Sequence, residues 1–592
     1  MAILSDIETK RELSLGAKVG EKTTSFRVWA PHHLSLSLHL LGKGMFRMER
    51  DKEGYFSFNL ERVSPGDRYF YTFGNGLERP DPVSRFLPDG VHGPTEIVDP
   101  KSFSWDDLSW KGIPLQEQIF YEIHVGAYTK EGTFYSLIDK LPYIKKLGVT
   151  CLEIMPISQF PGRWNWGYDG ASPYAPYSGY GGPQGLKELV KAAHAHSLGI
   201  CLDVVYNHLG PEGNYLAEFG NYFSDTYRTP WGKALNYDGP YSDHVRHYII
   251  QNALYWLSEY HIDALRLDAI HGIYDFSASP MLPELIKEVR LLGQEQGRNI
   301  HVIAESGFND ARILHPEEKG GWDLCGVWND DFHHAMHVTL TGEKTTYYSD
   351  FSGLPDLARS LSGGFVYEGQ YSSFRKRRHG NSCKGIPYEK FLIFSQNHDQ
   401  AGNRPWGERL ASLVEKEPAK LAACFTLLTP ATPLLFMGEE YGEKASFEYF
   451  VDYKDERLMR SIFEGRKRES HRTDMPFPGK ESFDNSQLSW EFDHDLLTLY
   501  QKLISLRKQF PPAPHLTTGD LHVSYSEEES WIAWEYPTKN GSWLGVFCYL
   551  GEEAQAFSLP FRNLTSPKLL FSTSPSSQKG IFPPHSASIY TS

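Results

Sequence analysis

The sequence has little that would place it in a membrane, an export route or a metal-dependent class. No apolar run reaches the length of about 18 residues that a membrane-spanning helix needs, so no membrane partner is expected anywhere in the 592 residues. The first stretch, MAILSDIETKRELSLGAK, has no apolar core and no small-residue cleavage pattern, and a cytoplasmic protein is therefore expected. Cysteine is scarce: Cys151, Cys201, Cys325, Cys383, Cys424 and Cys548 form no CxxC and no paired spacing. They read as reduced core residues, not as a disulfide framework or a thiolate cage. His333 and His334 are adjacent and cannot both face one ion from a regular element, HExxH is absent, and no calcium cage follows the third apolar strand. No metal and no cofactor are expected. GxSxG is missing, which disfavours a serine nucleophile, and the glycine-rich GYGGPQG lacks the lysine of a phosphate-binding loop. Positive charge is also short, with 59 Lys and Arg against 74 Asp and Glu and a net charge of −15. That balance argues against a nucleic-acid partner.

What is present is ordinary globular material, 40% hydrophobic and 22% charged, in a chain long enough for several domains. Three textures follow one another. Residues 1–112 alternate short β-type runs with turns (TTSFRVWAP, LSLSLHLLG, GYFSFNL, DRYFYTF), the spacing of a small β-sandwich. Residues 113–514 carry eight apolar strands, beginning near 119, 150, 199, 263, 301, 325, 391 and 433, separated by amphipathic stretches such as GLKELVKAAHAHSL. A (β/α)8 barrel is the leading architecture and a doubly wound sheet the alternative. Residues 515–592 return to short strands (LHVSYS, SWIAWEYP, SWLGVFCYLG, SASIYTS) and read as a small β-domain. The fold class is thus multidomain α/β, with a central barrel flanked by two β-domains.

In DALRLDAIHG, an arginine and a carboxylate, Arg266 and Asp268, interrupt an apolar strand two residues apart, on one face. Charges of this kind are seldom buried unless paired. Either the two form a structural ion pair or the strand ends in a reaction site. The other strands favour the second reading, because they too finish in groups that ionise or hydrogen-bond: Asp203, Asn207 and His208 on the third, Glu305 on the fifth, Asn397, His398 and Asp399 on the seventh. In a (β/α)8 barrel these ends share one mouth, where the chemistry sits. Carboxylates without metal, thiol or serine suit hydrolysis of a glycosidic bond. Aromatic residues, at 14%, add a weak hint of sugar stacking.

The segments DVVYNH, ALRLDAIH, IAES and NHD, in this order and spacing, resemble the four signature regions of the α-amylase superfamily, glycoside hydrolase family 13. FPGRWNWGYDGASPYAPYSGYGGPQGLKELV, WNDDFHHAMHVTLTGE, GFVYEGQYSSFRKRRHG and QNHDQAGNRPWGERL narrow the likeness to members that act on malto-oligosyltrehalose. The WAP of FRVWAP resembles the N-terminal β-sandwich of branching and debranching relatives. The resemblance implies Asp268 as nucleophile, Glu305 as general acid/base and Asp399 as stabiliser of the transition state. It implies His208 and His398 as ligands of sugar hydroxyls, Tyr168 as a stacking aromatic, and Asp203 with Asn207 as structural support. Arg266 would keep the charge on Asp268, and Glu305, after apolar HVIA, would keep its proton. His271 stands where many α-amylases have lysine, which argues against ordinary starch specificity. The implied substrate is malto-oligosyltrehalose and the implied pathway partner is malto-oligosyltrehalose synthase. A branching enzyme, which shares the domain order, and a glycan-binding protein without catalysis are the competing readings.

Overall fold

The computed structural model describes residues 13–470, 474–574 and 580–592; residues 1–12, read above for a leader, lie outside them. At the centre, eight parallel strands close into a barrel. They are β1 (Phe120–Ile123), β2 (Cys151–Ile154), β3 (Gly199–Val204), β4 (Ala264–Leu267), β5 (His301–Ala304), β6 (Gly326–Trp328), β7 (Phe391–Phe394) and β8 (Thr432–Phe436). β1 pairs with both β2 and β8, so the sheet has no edge and the doubly wound alternative is excluded.

Side chains alternate across a strand, and every second residue therefore enters the barrel. Phe120, Cys151, Cys201, Ala264, Ile303, Trp328, Leu392 and Leu434 pack together as a buried apolar plug. Two residues further along the same faces come Glu122, Glu153, Asp203, Arg266 and Glu305. The interior is thus an apolar floor under a charged layer, and this is why strands that open apolar finish in ionisable groups. The strands are shorter than their alternation suggests. β4 stops at Leu267 because Ala269 turns into the left-handed region at φ 38°, although the Asp268 N–H still donates to the Val204 carbonyl at 3.0 Å.

A four-stranded and a five-stranded antiparallel sheet precede the barrel and share its buried core through Trp29, Phe56, Tyr69 and Tyr71. Arg79 clamps Glu218 at 2.9 and 3.0 Å, and the Trp29 ring stacks on His244 at 4.8 Å, seating these sheets on the barrel. After the barrel comes a five-stranded sheet that includes Lys568–Ser572, a strand missed among the prolines and serines around it. It is fastened by Trp534 Nε1, which donates to the Leu428 carbonyl at 2.7 Å.

The segment leading into the barrel is tied to the underside through His194. One ring nitrogen meets Asp107 at 2.7 Å and the other meets Asp263 at 2.9 Å, with Trp110 stacked on the ring at 4.7 Å. Burial alone would lower the His194 pKa, but the hydrogen bonds to Asp107 and Asp263 prevail and raise it. His194, joined by His261 at Asp107 and by Arg298 and Trp110 at Asp263, lowers both carboxylates against the opposing effect of burial. The His194 contribution to stability is therefore full below its unfolded pKa, near 6.5, and is lost as pH rises through the higher folded value. The carboxylate contribution is present above about 3.8 and is lost as pH falls through the lowered folded values. We expect His194→Gln to cost about 3 kcal/mol near pH 6, with the gap to wild type narrowing in alkaline solution. Thermal melts of both proteins from pH 5 to 10 check this, and a gap that does not change with pH refutes it.

Candidate active site

The residues expected at the strand ends form one connected network around Arg266, whose side chain is completely buried. Its Nη1 donates to Asp203 at 2.7 Å and to Asp268 at 2.9 Å, and its Nη2 donates to Glu305 at 3.0 Å. The face of the guanidinium lies 4.1 Å from the Trp328 ring. A pair with Asp268 alone was expected; the structure shows one cation shared by three carboxyl groups. Asn207 fixes Asp268 from the other side, its Nδ2 donating to Oδ2 at 2.8 Å and to the backbone carbonyl at 2.9 Å. The Asn207 Oδ1 meets His208 Nδ1, whose ring stacks on Trp231 at 5.5 Å.

The two carboxyls beside Arg266 differ in surroundings. Glu305 accepts from Arg266 and from the Ala269 N–H at 2.8 Å, both on Oε2, which leaves Oε1 for a proton. Burial pushes its pKa well above the usual carboxylate range, more than Arg266 brings it down. Asp203 is pushed up to about 6, mainly by burial, and its Oδ1 has no partner. Burial lowers both His208 and His271, so these rings are neutral at pH 7. His271 accepts the Gly307 N–H at 3.2 Å and meets the Trp231 ring edge-on at 6.2 Å.

On the far wall, Asn397 caps the short helix His398–Gly402 through the Gln400 N–H at 2.9 Å, and so turns His398 and Asp399 into the mouth. Tyr168 lies between the two halves of the site. Its hydroxyl bonds Asp203 at 2.6 Å and His398 Nε2 at 2.8 Å, and its ring stacks on the imidazole at 5.1 Å. Asp399, one third exposed, accepts from Asn403 at 3.0 Å, and Arg466 in turn donates to Asn403 at 2.7 Å.

Sequence reasoning missed Glu122, Trp328, Asn403 and Asp330. Glu122 grips His398 from β1, and Asp330, which accepts from Gln400 at 3.2 Å, is pushed up to about 7 by burial and by Asp399. Glu122 carried the signal that betrayed Arg266, an ionisable residue on the inward face of an apolar strand. Asp330 carried it too, two residues past the inward-facing Trp328 at the end of β6, whereas Trp328 and Asn403 sit in segments where nothing in the local pattern separates them from their neighbours. No group of three or more His, Cys, Asp or Glu among the described residues is arranged to hold a metal ion.

A model of the α-amylase catalytic domain matches residues 98–233 and 232–513. A malto-oligosyltrehalose trehalohydrolase of Saccharolobus solfataricus is 46% identical over 498 residues, which is 84% of this chain and 87% of that protein. Another from Rhizobium sp. is 40% identical over 536 residues, 87% of this chain and 90% of its own. The crystal structure of a putative alpha amylase from Salmonella typhimurium superposes with a TM-score of 0.90 at 38% identity, covering 98% of this chain and 99% of that one. The chain belongs to the α-amylase family and, within it, to the malto-oligosyltrehalose trehalohydrolases.

Proposed function

We propose that this protein hydrolyses, with retention, the α-1,4-glucosidic bond joining a malto-oligosaccharide to a terminal trehalose, and releases trehalose and a shortened maltodextrin. The observation that carries the chemistry is the single guanidinium that holds Asp268 at 2.9 Å and Glu305 at 3.0 Å. One cation gripping both draws the carboxyls together, as a retaining mechanism requires, while burial leaves the proton on Glu305. Asp268, fixed by Arg266 and Asn207, attacks the anomeric carbon as Glu305 protonates the leaving oxygen from Oε1. The resulting glycosyl ester is opened by water that Glu305, now a base, deprotonates. Asp399 faces the positive charge that develops on the sugar, and His208, His398 and Tyr168 contact its hydroxyls and face.

Specificity for the trehalose cap rests on the likeness to the trehalohydrolases and on the aromatic Trp231, half exposed beside His208 and His271. Binding energy from the cap would position the scissile bond. We read residues 1–112 as a carbohydrate-module-like β-sandwich, 113–514 as the catalytic barrel and 515–592 as an accessory β-domain. The synthase that builds the capped substrate would be the pathway partner, and the cytoplasm the site of action. No helix among the described residues is long and apolar enough to cross a membrane.

Malto-oligosyltrehalose should yield trehalose first, together with a maltodextrin whose new reducing end is the α-anomer, and plain maltodextrin of equal length should react at least about tenfold more slowly. Chromatography of early products tests this. Formation of α-1,6 branches, or equal rates on both substrates, rejects the assignment. Arg266→Leu should lower kcat/KM by about a thousandfold, the loss expected when one partner of a buried, hydrogen-bonded charge pair is removed. Circular dichroism alongside the assay separates this from unfolding, and a folded, fully active variant shows that Arg266 does not support the carboxylates.

A further inference from the structure

Glu122 comes from β1, the strand whose own end contributes none of the expected site residues, yet it makes the tightest contact on the far wall of the mouth. Its Oε2 accepts the backbone N–H of His398 at 2.9 Å and its Oε1 meets Nδ1 of the same residue at 2.5 Å, with both side chains 1% exposed. On the opposite side of the ring, Nε2 lies 2.8 Å from the Tyr168 hydroxyl, and that hydroxyl donates to Asp203.

Counting donors settles the state of the ring. A carboxylate only accepts, so Nδ1 must donate to Glu122; the tyrosine proton is committed to Asp203, so Nε2 must donate to the tyrosine oxygen. A histidine that donates from both nitrogens is an imidazolium. Its Nε2 stands 3.4 Å from Oδ2 of Asp399.

We infer that Glu122 is a positioning residue of the active site: it pins the His398 amide, holds the ring as an imidazolium, and so sets both the place of Asp399 and the positive charge beside it. This deepens the reading of Asp399 as part of a glycosidase site and rests on it. The groups facing His398 agree. Burial opposes protonation, Asp399 and Glu122 favour it, Arg266 from β4 opposes it, and the balance pushes the ring up to about 9. Asp203 from β3 adds negative charge, whereas burial pushes Glu153 from β2 well above the usual carboxylate range, and His124, just past β1, is brought down to about 4 by burial.

Glu122→Gln tests the inference, because an amide offers one acceptor and one donor where the carboxylate offered two acceptors. Histidine labelled with carbon-13 at Cε1, with the His398 signal identified by its loss in His398→Asn, gives the ring's charge directly. We expect His398 to be charged at pH 8 in the wild type and its titration to move down by about one unit or more in Glu122→Gln. On whichever α-glucan the wild type turns over, kcat should fall about tenfold with a smaller change in KM, and adding Glu122→Gln to His398→Asn should cost nothing further. A neutral His398 in the wild type at pH 7, or additive losses in the double variant, overturns the inference. The wild-type resonance decides the first point even if the variant does not fold. Failure on the capped substrate would leave that measurement standing and would count only against the proposed function.

Discussion

A single cation in the middle of the barrel organises the rest of the molecule. The Arg266 guanidinium is cut off from solvent, and a charge in that position is costly unless its hydrogen bonds and its charge are answered. Asp203 from β3, Asp268 just past β4 and Glu305 just past β5 answer it, so three neighbouring strands are held in register at their ends by one planar group. Trp328 closes the remaining face at 4.1 Å. Removing the cation would leave three carboxyls gathered with nothing to gather them, and for that reason the arginine and the carboxylates are best regarded as one unit.

Around that unit, burial assigns roles that identical functional groups could not hold in water. Burial pushes Glu305 and Glu153 well above the usual carboxylate range, while Asp268 is bound by donors from two sides. His208 and His271 are neutral, and His398, gripped by Glu122, is charged. Two carboxyls in unlike surroundings, flanked by two neutral histidines and one cationic one, are a consequence of which oxygen or ring each element turns inward. The apolar plug beneath makes this possible, because it excludes water from the floor of the mouth and strengthens every interaction above it.

The distant parts bear on the site through the barrel's rigidity. Arg466, on a helix outside the cylinder, reaches Asn403 and through it Asp399, so an element with no catalytic group still shapes the mouth. His194 ties the entry segment to the strand that carries Arg266, by way of Asp263 immediately before β4.

The eight strands, their order and the residues at their ends were legible in the sequence because a two-residue period is a local property: apolar residues that alternate, followed by an ionisable residue on the same face, need no knowledge of the partner strand. The pairing of Arg266 with Asp268 was legible for the same reason, since both lie on one strand edge. What the sequence could not determine was everything that depends on closure. That Arg266 also binds Asp203 and Glu305, residues 63 and 39 positions away, follows from β3, β4 and β5 lying side by side. That Glu122 grips His398 across 276 residues requires β1 to close against β8, with β7 as the next strand. Alternation tells which face a side chain takes, and only the closed cylinder decides which other side chain it meets there.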